Sequence, residues 1–341
     1  MRKLEISPCV EIPEVLKISY DSLDDSQKNI FLDIAFFLEG ERRDVVISFF
    51  DAIGFEAKIE LSVLDGKSLI TVDFLDQIRM HDLLRDMGRE IVRKESIDHL
   101  GNRSRLGYYK DLYEVLKKNK GTEAIKSISL DMDKVNSEIQ INPYTFSKMT
   151  ELRTLKFYGS ENKCMVSSLE GVPLTENLVN LKYIDLSHSE SLTKLPDLSL
   201  ARNLEILDLG SCSSLTETHS SIQYLNKLEV LDLRHCESLG SLPTSIHSKY
   251  IEELDFVGCS KLKNHPAISS SLIPLLSLIK VGIKELPSSI ECLSKLDRLS
   301  IQDCTRLENI SSSIFKLKSL QYIEIKRCSN LKRFAEIPLV L

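Results

Sequence analysis

The sequence predicts an α/β solenoid of stacked repeats preceded by a mainly α-helical domain, and two observations carry that prediction. From Glu123 to Leu341 one phrase returns about every 23 residues, as LVNLKYIDLS from Leu178, LNKLEVLDLRHC from Leu225, LSKLDRLSIQDC from Leu293 and LKSLQYIEIKRC from Leu317. The first hundred residues lack this phrase and carry apolar residues at helical spacing instead.

The fourth apolar slot of the phrase falls at Ile128, Leu155, Ile184, Leu207, Leu231, Leu254, Leu276, Leu299 and Ile323, at intervals of 27, 29, 23, 24, 23, 22, 23 and 24. This is the L-x-x-L-x-L-x-x-C spacing of a leucine-rich repeat, whose unit is one short strand and a return segment. One unit cannot bury its apolar edge alone, so nine copies must stack, and residues 106–341 are assigned to them.

Eight cysteines raise the question of disulfides. Cys212, Cys236, Cys259, Cys304 and Cys328 each stand three residues after the sixth slot of their copies. A residue there points inward and bonds the turn backbone, so the five form a structural ladder of free thiols, with Cys259 buried. Cys9, Cys164 and Cys292 fall outside the slot, no C-x-x-C occurs, and no metal site is expected. The fifth, seventh and eighth slots face outward on the concave side of the strands. Asp185, Asp208, Asp232 and Asp255 occupy the fifth slot of consecutive copies, with His188, Arg234 and His235 beside them, and Lys280, Lys326 and Arg327 further along. Nine strands span roughly 40 Å at about 4.8 Å each, which suits a protein partner; the aspartates read either as solvated residues paired weakly with nearby bases or as a site for a basic partner. Asp232 and Asp255 are expected to be exposed there.

Residues 1–105 read as helices, a hairpin and a last helix. Asp24 and its neighbours can cap a helix running from Gln27 to Leu38, with Ile30, Phe31, Ile34 and Phe37 on one face and Gly40 as its stop. Arg43 to Ile53, ended by Gly54, and Glu56 to Leu64 give two more helices. SLITVDF and QIRMH flank a turn at Leu75-Asp76, and Asp82 can cap a helix that turns Leu83, Leu84, Met87, Ile91 and Val92 to one side. That order is a winged helix. It is not a nucleic-acid reader by charge: Asp82, Asp86, Glu90 and Glu95 balance Arg85, Arg89, Arg93 and Lys94, and the whole chain carries a net charge of −6. No catalytic constellation appears, so the chain is read as a binding and regulatory protein rather than an enzyme. The first 20 residues lack a secretory apolar core, and the longest apolar stretch, Leu272 to Ile283, is too short to span a bilayer, so a cytosolic or nuclear location without membrane attachment is expected.

ISYDSLDDSQKNIFLDIAFFLEG, GKSLI, MHDLLRDMGREIV and NRSRL, in this order, closely resemble plant intracellular immune receptors of the TIR-type nucleotide-binding leucine-rich-repeat class. The resemblance covers nearly the whole chain from about Ile12 and makes residues 1–105 the third, winged-helix part of an NB-ARC module. Met80, His81 and Asp82 stand where that family carries its MHD motif. The resemblance implies that His81 senses the phosphate of bound ADP and helps to hold a resting state, while Asp82 caps its helix. Neither a TIR domain nor a G-x-x-x-x-G-K-[ST] phosphate loop occurs in these 341 residues, and Gly107 stands where the family usually has an aromatic. ADP or ATP is therefore expected only within an intact NB-ARC module, with none for the isolated chain. The implied role is a segment of a disease-resistance receptor whose repeats bind a pathogen or host protein and restrain the NB-ARC switch. The alternative is a truncated scaffold or decoy that binds protein without nucleotide or signalling.

Overall fold

A computed structural model describes residues 14–131, 145–158 and 178–334, so Cys9 and Cys164 lie outside the described residues. The chain divides into two compact units, one ending at His99 but including Arg103–Arg105, the other holding Leu100–Asn102 and everything from Leu106.

The first unit contains the helices Glu14–Asp21, Asp25–Asp33, Arg43–Ala52, Ala57–Gly66 and Asp82–Glu95, and an antiparallel pair, Thr71–Val72 with Ile78–Arg79. Asp24 accepts the Gln27 N–H at 2.8 Å while the Gln27 side chain accepts the Asp24 N–H at 3.2 Å, so two orphan donors of the helix start are satisfied reciprocally. The anticipated helix to Leu38 changes pitch on the way: Ile34–Leu38 is a π-helical turn closed by Glu39 N–H on the Ile34 carbonyl at 3.2 Å. Gly40 and Gly54 end their segments at φ 88° and 90°, a backbone region costly for any residue with a Cβ. At the hairpin, one Asp73 oxygen accepts the N–H groups of Leu75 and Gln77, at 2.8 and 3.0 Å.

Ile30, Phe31, Ile34, Phe49, Phe50 and Leu64 are wholly enclosed in the core of this unit. The last helix turns Leu84, Met87, Gly88 and Val92 inward, whereas Leu83, 39% exposed, lies off that face. Gly88, which the apolar spacing does not mark, also lies inward, where the helix Asp82–Glu95 approaches closely: a Cβ there would stand 2.8 Å from that of Ala35. The Arg103–Arg105 segment returns to the unit through polar contacts. Arg105 Nε donates to Asp33 at 2.6 Å, both side chains almost fully buried, and Arg105 Nη2 donates to the Asn29 carbonyl at 3.0 Å. Ser104 donates through N–H and hydroxyl to Glu95 at 2.6 and 2.8 Å, and Arg103 Nε to the Ser96 carbonyl at 2.8 Å.

In the second unit the strands Ser127–Asp131, Thr154–Tyr158, Tyr183–Asp185, Ile206–Asp208, Val230–Asp232 and Glu253–Asp255 form one parallel ladder. Leu275–Ile279, Arg298–Gln302 and Tyr322–Lys326 form another. Within each ladder the fourth-slot residues stand opposite one another, Leu207 facing Leu231 and Leu299 facing Ile323, for example. From Ile128 to Leu299 all eight are at most 3% exposed, a continuous apolar spine with one layer per copy. The fold is thus a leucine-rich-repeat solenoid after a winged helix. No helix of the described residues is long and apolar enough to cross a membrane.

Candidate functional site

His81 is the residue before the helix Asp82–Glu95, and its ring Nδ1 accepts the Leu83 N–H at 3.2 Å. The cap is therefore His81, and the expectation that Asp82 caps this helix is corrected. Asp82 is the first helical residue, and its exposed carboxylate pairs along the helix with Arg85, which also holds Glu39 at 2.5 Å. Met80 is 5% exposed and belongs to the core rather than to any exposed site. Of the three motif residues, only His81 presents a ring to solvent at the helix start, where the Leu84 and Arg85 N–H groups donate to its own carbonyl at 2.9 and 3.0 Å. With Nδ1 accepting, the neutral ring carries its proton on Nε2, so the outward nitrogen is a hydrogen-bond donor.

On the strand face, each of the four aspartates closes its own corner. One carboxylate oxygen accepts the N–H two residues on: Ser187 for Asp185 at 2.9 Å, and Gly210, Arg234 and Val257 for Asp208, Asp232 and Asp255, each at 2.8 Å. Asp185 also meets Lys156 Nζ at 3.0 Å and accepts the Tyr183 hydroxyl at 3.3 Å, and Asp232 accepts Arg234 Nε and Nη2 at 2.8 and 2.5 Å. Asp185 and Asp232 are consequently only 3% and 4% exposed, which overturns the exposure expected of Asp232. Lysine at 232 would lose the corner bond and set a second cation beside Arg234, so that position is not a free surface position. Asp255 is half-buried, with Arg234 Nε 3.8 Å away.

Asp208 differs from its neighbours. It stands in register between Asp185 and Asp232, and Gly210 supplies no side chain where the next copy supplies Arg234. Burial, then the two flanking carboxylates, push its acid up to about 7. Burial also raises Asp255 above the usual carboxylate range.

His188 and His235 are exposed but do not lie on the strands. Both have φ 58°, and the same left-handed conformation recurs at Ser211, Gly258, Lys280, Asp303 and Arg327. The eighth slot is thus the turn itself, and its side chains leave the face that the fifth slot faces. Gly258 was the one residue there to signal it. The third slot was missed although period two also turns it outward: Tyr183, Ile206 and Val230 adjoin beside the carboxylates, Glu253 follows them, and in the second ladder Arg298 separates Leu275 from Tyr322. Tyr183 and Ile206 are nearly closed off, whereas Leu275 and Tyr322 are 49% and 54% exposed.

Cys212, Cys236, Cys259 and Cys304 are buried, and each thiol lies 3.1 Å from the sixth-slot carbonyl of the preceding copy, those of Leu186, Leu209, Leu233 and Leu278. Cys328 sits less deeply, 3.8 Å from the Ile301 carbonyl. Burial pushes the Cys236 and Cys304 thiols up to about 12 and about 11, and those of Cys212 and Cys259 upward as well, so none is a ready thiolate. Cys292 is exposed. A Ser–His–Asp grouping that the sequence does not reveal, Ser221, His219 and Asp197, is a cap and not a triad. Serine and aspartate approach the same nitrogen, Nδ1, at 2.9 and 3.5 Å, and Ser221 is 2% exposed.

Comparison with known proteins places both units. The winged-helix domain of Roq1-like disease resistance proteins matches residues 24–96, and the leucine-rich repeats of RPS2-like plant disease resistance proteins match residues 193–329. The chain belongs to the plant disease-resistance proteins. It is 35% identical to disease resistance protein RPP2B of Arabidopsis thaliana, over 93% of this chain and 30% of that protein. It is 31% identical to TMV resistance protein N of Nicotiana glutinosa, over 95% of this chain and 32% of that protein. A solved leucine-rich-repeat domain, from the type III effector XopL, superposes with a TM-score of 0.48 at 17% identity, covering 92% of this chain and 94% of that one. The chain spans about a third of the length of the curated relatives it matches.

Proposed function

We propose that this chain is the sensing and binding segment of a plant immune receptor, with no catalytic role of its own. The repeats bind a pathogen or host protein, and the winged helix reports on ADP or ATP held by a nucleotide-binding module of a longer cytosolic or nuclear protein. The observation that carries the second half is the His81 ring. Its Nδ1 is occupied by the helix start, so Nε2–H faces outward at the positive end of the helix dipole, a disposition that suits a terminal phosphate. For the first half the supporting residues are those still open on the repeats: Asp208, Asp255, Arg234, Leu275 and Tyr322. His188 and His235 would contribute from the turn edge.

The test is His81→Asp in a full-length receptor carrying this segment. Aspartate caps helices as well as any residue, yet it offers no donor and repels phosphate. One charge-assisted bond contributes about 1.5–3 kcal/mol, enough to move a two-state population roughly 10- to 150-fold. The expected result is signalling without a pathogen at normal protein level. A silent, well-expressed variant that still needs the pathogen would remove the sensing role.

A further inference from the structure

Among the described residues, the boundary between the copies anchored on Leu254 and Leu276 is irregular. At seven other boundaries the N–H two residues before the anchor donates to its equivalent in the copy before. Examples are Glu229 to Glu205 at 2.7 Å, Glu252 to Glu229 at 2.9 Å and Asp297 to Pro274 at 2.9 Å. The copy anchored on Leu276 has Pro274 in that place, and proline has no N–H to donate to Glu252. The thiol ladder is interrupted at the same boundary: Val281 occupies the slot of Cys259 and Cys304, so no side chain reaches the Phe256 carbonyl as those thiols reach theirs. Leu186, Leu209 and Leu233 donate across to Asp208, Asp232 and Asp255 at 2.9 Å, but among the described residues Phe256 has no such bond to Ser277. The return side is broken too. Its bridges run from Lys194 through Glu217 to Ser241, Ser245–Ile246 pairs with Ala267–Ile268, and pairing then resumes from Glu285 to Asn309, so among the described residues no bridge crosses this boundary. The backbone bonds that remain among the described residues are Gly258 N–H on Ile279 at 2.8 Å, Gly282 N–H on Cys259 at 3.1 Å and, on the return side, Lys295 N–H on Ser271 at 3.2 Å.

We propose that this boundary is a hinge, and that the solenoid is two cooperative blocks that part here before any other boundary opens. Nearest-neighbour contacts carry the stability of a repeat array, so the boundary with the fewest bonds opens first. The hinge falls across the outward face: all four aspartates lie in the first block, Leu275 and Tyr322 in the second.

Hydrogen exchange on the full chain tests this without any partner. Gly258 N–H is the seam counterpart of Ser211 N–H and His235 N–H, which bond across to Arg234 and Val257 at 2.6 and 2.7 Å. After correction for intrinsic rates, Gly258 should exchange at least about tenfold faster than either. Equal protection at the three amides would overturn the hinge. Repair is the second arm. Pro274→Asp, copying Asp297 at an exposed position, returns the missing donor, and Val281→Cys returns the thiol. The double variant should slow Gly258 exchange by at least about tenfold and leave Ser211 unchanged. If the Pro274→Asp single variant and the double variant both leave the Gly258 rate where it was, the absent donors do not make a hinge.

Discussion

The two units of this chain hold their polar groups in place by opposite strategies. In the repeats, a buried thiol or carboxylate finds its partner within its own corner or one copy back: Cys236 reaches Leu209, and Asp232 holds Arg234. In the winged helix the deciding contacts are single and distant in sequence, as when Arg105 reaches Asp33 across 72 residues. A repeat can lose one rung and remain supported by its neighbours, whereas the helical unit has no second copy of its ion pair.

The sharpest way to break that contrast is to remove the acid. Asp33→Ala leaves the Arg105 guanidinium buried and uncompensated, which should cost about 3–5 kcal/mol and lower the melting transition of the helical unit. Asp33→Leu with Arg105→Met should recover most of that loss, because the cost lies in the unpaired charge rather than in the missing attraction. Thermal unfolding followed by near-ultraviolet dichroism would show it. A single variant that melts like the parent would mean that water already reaches Arg105.

Next in size is Asp208, where the repeats depart from local self-sufficiency. Its acid is raised, so the folded chain holds a proton that the unfolded chain releases between about pH 4 and 7. In that window the unfolded state binds fewer protons, and stability falls as pH rises; above about 7 the loss is complete. Asp208→Asn keeps an oxygen for the Gly210 N–H and removes the charge. It should be neutral at pH 4 and stabilise by about 1–3 kcal/mol at pH 8, read from urea midpoints at the two pH values. A gain of equal size at both would assign it to packing.

How much of this was legible before the structure follows the same division. The period alone places Ile128, Leu207 and Leu299 in the spine, because stacked copies of one phrase bury the same slot; only the last anchor, Ile323, is left 37% exposed. It also picks out the cysteine slot. It does not show that Asp185 and Asp232 are closed off: period two tells which way a side chain points, and Lys156, Tyr183 and Arg234 decide what then covers it. In the helical unit, spacing identifies Ile30, Phe31 and Ile34, but nothing local marks Asp33 as the partner of Arg105. Asp82 looked like the cap because aspartate is the usual one. The helix starts one residue earlier than that reading needs, which gives the role to a histidine ring.

A smaller effect separates a ladder rung from a lone contact. Cys259→Ala removes a thiol of which the Leu233 carbonyl is the acceptor and leaves a small void, for about 1–2 kcal/mol. The change should weaken exchange protection in the copies anchored on Leu231 and Leu254 and leave the helical unit untouched. Loss of protection confined to residue 259 itself would show that the thiols act one by one.

The smallest expected change tests the cap at His81. Its ring acceptor satisfies one N–H of the helix Asp82–Glu95, and alanine leaves that donor to water at an exposed helix start. His81→Ala should therefore cost about 1 kcal/mol, and His81→Asp should match or exceed the parent because its oxygen accepts the same N–H beside the positive end of the helix dipole. Denaturant midpoints of the isolated chain resolve a difference of this size. The pair also protects the sensing proposal from a trivial explanation. If the aspartate variant is as stable as the parent here and the receptor carrying it signals unprompted, a weakened helix cannot be the cause. If aspartate is as destabilising as alanine, the ring is not the cap, and the fixed tautomer that turns Nε2–H outward loses its basis.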